Sequence, residues 1–346
     1  MITIKDIAKK ANVSIGTVDR VIHDRPGVSK KTKSHVEKII KEHNFQINRI
    51  ASTLALNKSY KIAILIPESN NENEFWSQPK RGIEKATEEI KNFKTSTTFF
   101  LFNQFDPISY TNAFKKIIKD KFDAVLIAPV FYKETKSLIH NLDNNNTPYI
   151  FINIEIKDLN PMSFIGQDSF KSGYLAGKLM NLMIPDLSHV LIPILRLNKD
   201  NYLAINNRIQ GFKFYFKKKN NSIKIEEVLI SNIKNQEAIN IALDKQFTIN
   251  NKIKGLFVPS SYTNLIANYI ETYNLQDIKI VGYDTNDKNN HFLKNETIDF
   301  LISQEPYFQG YKSIKLLSDY LLLNKKPDSI YHSPLRIVSK ENINFP

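Results

Sequence analysis

Beyond residue 60 the chain repeats one pattern: a strand-sized apolar run, then a helical stretch, then another run. Lys61–Pro67 opens the series. Thr97–Phe102, Phe122–Val130, Tyr149–Ile154, His189–Leu195, Glu226–Ile230, Gly255–Val258 and Ile278–Tyr283 continue it. Strands separated by helices pair in parallel. Runs that are apolar throughout need cover on both sheet faces, which the intervening helices supply. About 285 residues are more than one core holds comfortably, so the pattern predicts two α/β lobes with parallel sheets. No internal repeat or low-complexity tract interrupts it.

The first 45 residues follow a different rule. Thr3 with Asp6 has capping-box spacing, and Ile7, Ala8 and Ala11 make an apolar stripe behind it. Asn12-Val13 is a break. Ser14 is placed to cap a second helix with Val18, Val21 and Ile22 inward, and Asp24-Arg25-Pro26-Gly27 is a turn signal. Ser29 is placed to cap a third helix, with Val36, Ile39 and Ile40 at helical spacing. Two short helices around a tight turn suggest a helix-turn-helix. The outer face of its second helix carries Ile15, Gly16, Thr17, Asp19 and Arg20. From periodicity alone, DNA binding and a protein-contact role stay open. The charge distribution favours the first. Residues 1–60 hold 12 Lys and Arg against 5 Asp and Glu, so +7 of the net +13 sits in that first sixth of the chain.

The stretch from Thr3 to Ile22 closely resembles the headpiece of the lactose-repressor (LacI/GalR) family. So do Val28–Thr32 and Asn48–Leu54, and the match runs through about 50 residues without a gap. The resemblance implies that Ser14, Thr17 and Thr32 contact phosphates and that Ile15, Gly16 and Arg20 read bases. Arg20 would bind a guanine bidentately, while Ile15 and Gly16 would read only shape and thymine methyls. Thr3, Ser29 and His23 belong with this DNA-facing set. Asp19 departs from the family, which usually has Ser there. A carboxylate near phosphates must accept a cytosine N4 proton or pair with a cation such as Arg20. The domain boundaries expected are a head over 1–46, a hinge helix and linker over 47–59, and a body over 60–346. Asn48, Ala51 and Leu54 would enter the minor groove, with Leu54 as the wedge that kinks the duplex. A helix that short is unstable alone, so partner and DNA must stabilise it. Ser52 stands where the family often has Arg.

The body resembles the periplasmic sugar-binding fold that the family shares, more loosely than the head does. The first lobe is expected over about 61–167 and 304–327, the second over about 168–303 and 328–346. Ligands in such sheets bind at the carboxyl ends of strands, between the lobes. Phe75 and Trp76, after the first strand, offer aromatic faces to a sugar ring. The resemblance places Asp168, Arg208, Asp284 and Gln304 around the ligand. Chemically they form a polyol-binding set, with carboxylates accepting from hydroxyls and Arg and Gln spanning two oxygens. Ser260 is a weaker candidate, because Ser260-Ser261 replaces the family's Asn-Asp pair.

No Walker loop, Gly-x-Ser-x-Gly elbow or His-Glu-x-x-His appears, the seven histidines lack metal-ligand spacing, and there is no cysteine. Neither enzyme, cofactor nor metal is therefore expected. The N-terminus has no signal-peptide pattern, and no apolar run approaches a membrane span, which fits the cytoplasm. The reading is a homodimeric regulator whose grip on operator DNA is set by a small effector: a sugar, sugar acid or sugar phosphate. The C-terminal residues show no heptad tail for a coiled-coil tetramer. A sugar sensor without functional DNA binding is the alternative, and a carbohydrate-active enzyme is a distant third.

Overall fold

The computed structural model describes residues 2–22, 24–43, 45, 58–69, 75–195, 202–219 and 222–345. The chain divides into two units, Met1–Lys58 and Ser59–Pro346. His23 and the hinge positions Asn48, Ser52, Ala51 and Leu54 lie outside the described residues.

Among its described residues the first unit has three helices: α1 (Ile4–Ala11), α2 (Ile15–Ile22) and α3 (Lys30–Glu42). Each starts at a hydroxyl. Thr3 and Asp6 form a reciprocal capping box, the Ser14 Oγ accepts from the Thr17 amide at 3.1 Å, and the Ser29 Oγ accepts from the Thr32 amide at 3.1 Å. Such caps satisfy backbone donors that the first helical turn leaves without partners. The α1–α2 turn closes on Asn12 in the left-handed conformation. Gly27 sits at φ +99°, where a Cβ would be strained. Ile7, Ala8, Ala11, Val18, Val21, Val36 and Ile39 form the core. Burial of each larger aliphatic contributes roughly 1.5–3 kcal/mol.

The second unit contains two six-stranded sheets. In chain order the body elements are β1 (Tyr60–Pro67), α4 (Ser77–Ile90), β2 (Thr95–Phe102), α5 (Pro107–Lys119), β3 (Ala124–Ile127), α6 (Tyr132–Asn144), β4 (Tyr149–Ile152), β5 (Ser163–Gly166) and α7 (Ser169–Met183). There follow β6 (His189–Leu195), α8 (Leu203–Lys219), β7 (Lys224–Ile230), α9 (Gln236–Ile249), β8 (Ile253–Phe257), α10 (Thr263–Thr272), β9 (Lys279–Tyr283), α11 (Asp287–Lys294), β10 (Phe300–Ser303), α12 (Pro306–Leu323), β11 (Ile330–His332) and β12 (Arg336–Val338). The first sheet runs β11-β5-β4-β3-β1-β2 and the second β12-β10-β9-β8-β6-β7. All pairings are parallel except β10 with β12. Ile62 to Ile66 of β1 and Ala124 to Ile127 of β3 are wholly buried, as expected for central strands covered on both faces.

The chain passes between the sheets three times: after β5, after β10 and after β11. The crossings are tied together. Gln167 Nε2 donates to the Ser303 carbonyl at 3.0 Å, and the Ser333 amide donates to the Gly166 carbonyl at 2.8 Å. One expected lobe boundary shifts. The sequence pattern places residues 328 onward in the second lobe, but β11 pairs with β5 in the first sheet. Only the segment from β12 onward joins the second. A three-residue edge strand carries too little pattern to reveal its sheet.

Candidate functional site

The head presents one polar helix face. On α2, Val18 and Val21 turn inward, while Ile15, Gly16 and Arg20 are exposed. Ile15 is 48% exposed, unusual for an aliphatic residue in a unit with so small a core. Ser14 and Thr17 share a hydrogen bond at 2.9 Å, and Ser29 and Thr32 share one at 2.8 Å. These hydroxyls sit at helix N-termini, where amide dipoles favour an anion. Thr3 is occupied by its capping box: its Oγ1 donates to Asp6 at 2.7 Å. Asp19 is held by Arg25, whose Nη1 donates to Oδ2 at 3.1 Å. The cation expected from the sequence was Arg20. The turn that ends α2, with Asp24 at φ +50° and the Arg25 amide donating to the Arg20 carbonyl at 2.8 Å, instead keeps Arg25 beside the helix.

The body gathers its polar residues at the carboxyl ends of the strands. Arg208 projects from α8 and is only 5% exposed. Its guanidinium lies over the Tyr283 ring, 4.0 Å from the centroid. Its Nη1 donates to the Pro259 carbonyl at 3.0 Å, and Nη2 donates to Gln304 Oε1 at 2.5 Å. Gln304 then turns its amide nitrogen to both oxygens of Asp284, at 2.8 and 2.9 Å. Gln304 thus stands between a buried cation and a buried carboxylate and hydrogen-bonds to both. Burial pushes the Asp284 carboxyl up to about 6, although the nearby Arg208 charge and the Gln304 hydrogen bonds pull it down. The same burial lifts the Tyr283 phenol to about 12, against the pull of Arg208.

A cavity of about 70 Å³ opens onto this network. Phe75, Trp76, Arg208, Ser260, Asp284 and Gln304 all line it. Trp76 is 3% exposed and packs edge-on against Phe75 at 5.2 Å, so it serves the core and the cavity wall together. The Ser260 Oγ is buried without a hydrogen-bond partner. Asp168 does not line this cavity. Its carboxylate caps α7, accepting from the Lys171 amide at 2.9 Å, and pairs with the Lys171 ammonium at 3.4 Å. An Asp placed between a strand end and a helix start fits either role, and the cap claims it here.

Four polar lining residues are not among the candidates read from the sequence: Gln104, Asn153, Tyr202 and Ser261. Asn153 donates to Gln304 Oε1 at 3.1 Å. It directly follows β4, so the rule that ligands sit beyond strand ends would have found it had that strand been ended at Ile152. Gln104 follows β2 and donates to the Tyr262 hydroxyl across the cleft at 2.7 Å. Tyr202 carried no signal. Among the described residues no group of three His, Cys, Asp or Glu is placed to hold a metal.

Comparison with known proteins gives this arrangement its context. The periplasmic binding protein domain family matches residues 62–326, more than half of the chain, and the lacI family of bacterial regulatory proteins matches residues 3–48. The HTH-type transcriptional regulator RegA of Clostridium saccharobutylicum is 26% identical over 331 residues, spanning 94% of this chain and 93% of RegA. A crystal structure of a protein assigned as a LacI transcriptional regulator from Bacteroides fragilis superposes with a TM-score of 0.78 at 28% identity. It covers 84% of this chain and 100% of that one. GanP, a glucose-galactose binding protein from Geobacillus stearothermophilus, shares the fold at a TM-score of 0.73 and 18% identity, covering 83% of this chain and 100% of GanP. The curated relatives are transcription regulators, not enzymes. A three-helix head with an exposed recognition face and a two-lobed body with a buried polar cleft are joined here in one polypeptide: the chain belongs to the LacI family of bacterial regulatory proteins, DNA-binding transcription regulators under ligand control.

Proposed function

We propose that this regulator works as a cytoplasmic homodimer, and that the ligand setting its grip on operator DNA is a sugar or sugar derivative bound between the lobes. The observation that carries the sugar reading is the Arg208–Gln304–Asp284 relay beside Phe75 and Trp76. A polyol can replace Gln304 on either side, donating hydroxyls to the carboxylate and accepting from the guanidinium. Both buried charges then stay satisfied. GanP, of the same fold, is a sugar-binding protein by its description. In the head, Arg20 is the base-reading candidate and Ser14, Thr17, Ser29 and Thr32 are the phosphate candidates. Asp19, fixed by Arg25, is a specificity candidate beside them.

The dimer follows from the head: a helix-turn-helix that reads a two-fold operator needs a second copy for the other half-site. The edge strands of both sheets, β2 and β7, also carry apolar side chains out to solvent: Leu101 is 43% exposed and Leu229 48%. The test combines two assays on the purified protein. A gel shift with promoter DNA beside its own gene should show specific retention, lost on deleting residues 1–58. A thermal-shift screen against sugars and sugar acids should raise the melting temperature with at least one of them. Failure to retain any genomic DNA would leave a sugar sensor, and failure of every saccharide would remove the sugar.

A further inference from the structure

The 70 Å³ cavity is not the largest one in the body. A second chamber of about 500 Å³ lies against it, and Phe75 and Asp284 form walls of both. Pockets for metabolite-sized ligands run from roughly 300 to 1,000 Å³, so the outer chamber falls in that range and the inner one below it. The outer chamber is lined from both lobes, by the starts of α4, α11 and α12 and by the C-terminal residues.

Its chemistry is specific. Asp287 stands exposed in the first turn of α11, and the Asn290 Oδ1 is buried there with no hydrogen-bond partner. Tyr307 and Phe345 turn rings towards solvent at 42% and 66% exposure. Asp284, Asp287 and Glu305 are the acids among the lining residues. Among the described lining residues Arg336 is the only cation, and it lies 3.9 Å from Glu305. Acceptors therefore outnumber cations. A phosphate or carboxylate would meet repulsion, whereas hydroxyl donors on a ring with an apolar face would meet acceptors and aromatic walls.

We propose that the effector is a neutral saccharide of at least two units. One unit lies at the wall the two chambers share and reaches hydroxyls into the inner cavity, itself too small for a ring, towards Arg208, Asp284 and Gln304. The next passes Phe75 and Asp284 into the outer chamber, where Asp287 and Asn290 accept its hydroxyls and Tyr307 stacks on its ring. This deepens the sugar reading above and rests on it. It narrows that reading by excluding sugar acids and sugar phosphates whose charge would fall in the outer chamber.

The test is calorimetric titration of the full-length protein with glucose, galactose, mannose and xylose, and with cellobiose, maltose, galactobiose, mannobiose and xylobiose. One disaccharide should bind at least tenfold tighter than its own monosaccharide. Tyr307→Ala and Asp287→Asn should each shrink that ratio to under threefold. If a monosaccharide binds as tightly as its disaccharide, or if both variants keep the ratio, the outer subsite is refuted while the sugar reading stands. If no saccharide binds, both fall together.

Discussion

Asp284 concentrates the chemistry of the body in one carboxyl group. It is 5% exposed, sits at φ +67°, and is held by two hydrogen bonds from Gln304. Burial disfavours its charged form, and Arg208 and Gln304 offset that only in part, so it titrates at about 6. A polyol donates its hydroxyls to the ionised form. Protonation removes an acceptor, so affinity should be steady above pH 7 and fall as pH drops through 6. With one proton controlling the site, binding at pH 5 should be about tenfold weaker than at pH 7. Titrations across that range check it, and a flat profile would mean the effector does not use this carboxylate. Gln304→Ala is the companion change. It strips a buried carboxylate of two donors, so it should cost roughly 2–4 kcal/mol in chemical denaturation and abolish the effector response. Arg208, Asp284 and Gln304 were legible in the sequence because a strand end or a familiar local pattern marks each. Asp168 misled because one short carboxylate at a helix start suits a cap as well as a ligand.

At the scale of elements, the pair α7 and α8 sets where Arg208 stands. The two helices pack backbone to backbone through glycines. A Cβ on Gly173 would overlap the Arg208 carbonyl oxygen, and one on Gly211 would overlap the carbonyl of Phe170. Gly173→Ala must therefore push α8 away from α7 and carry Arg208 with it. We expect a loss of about 1–3 kcal/mol from the overpacked contact and an effector affinity reduced more than that stability loss alone would cause. Denaturation and titration of the same variant separate the two effects. The long central strands were readable as runs of buried aliphatics. β5, β10, β11 and β12 were not: β3 and β4 are as short as β5 and β10 but lie within longer apolar runs, whereas Ser163, Gly166, Ser303, His332 and Arg336 interrupt these four. That is why the third crossing was misplaced while the two-lobed plan was not. The head was legible at finer grain, since its hydroxyl caps and its turn glycine are local signals that need no distant partner.

At the scale of the whole molecule, the issue is how two weak heads become one strong switch. A single basic head neutralises only a few phosphates, and each contact adds its own counterion release to the salt dependence of binding. Joining two heads makes the second binding event intramolecular, so affinity rises far more than twofold. The exposed Leu229 on β7 and Leu101 on β2 mark the edges through which we propose the bodies pair. Leu229→Glu would place a charge on such an edge and oppose pairing without touching the cleft. Sedimentation should then show a monomer where the native protein is a dimer. Operator affinity should fall by at least a hundredfold, and the slope of log affinity against log salt should drop to roughly half, because one head's phosphate contacts are gone. Effector affinity should stay within about twofold, since each body carries its own cleft. A native protein that sediments as a monomer yet holds its operator with the full salt slope would mean that one head suffices, and the coupling between bodies would have to be abandoned.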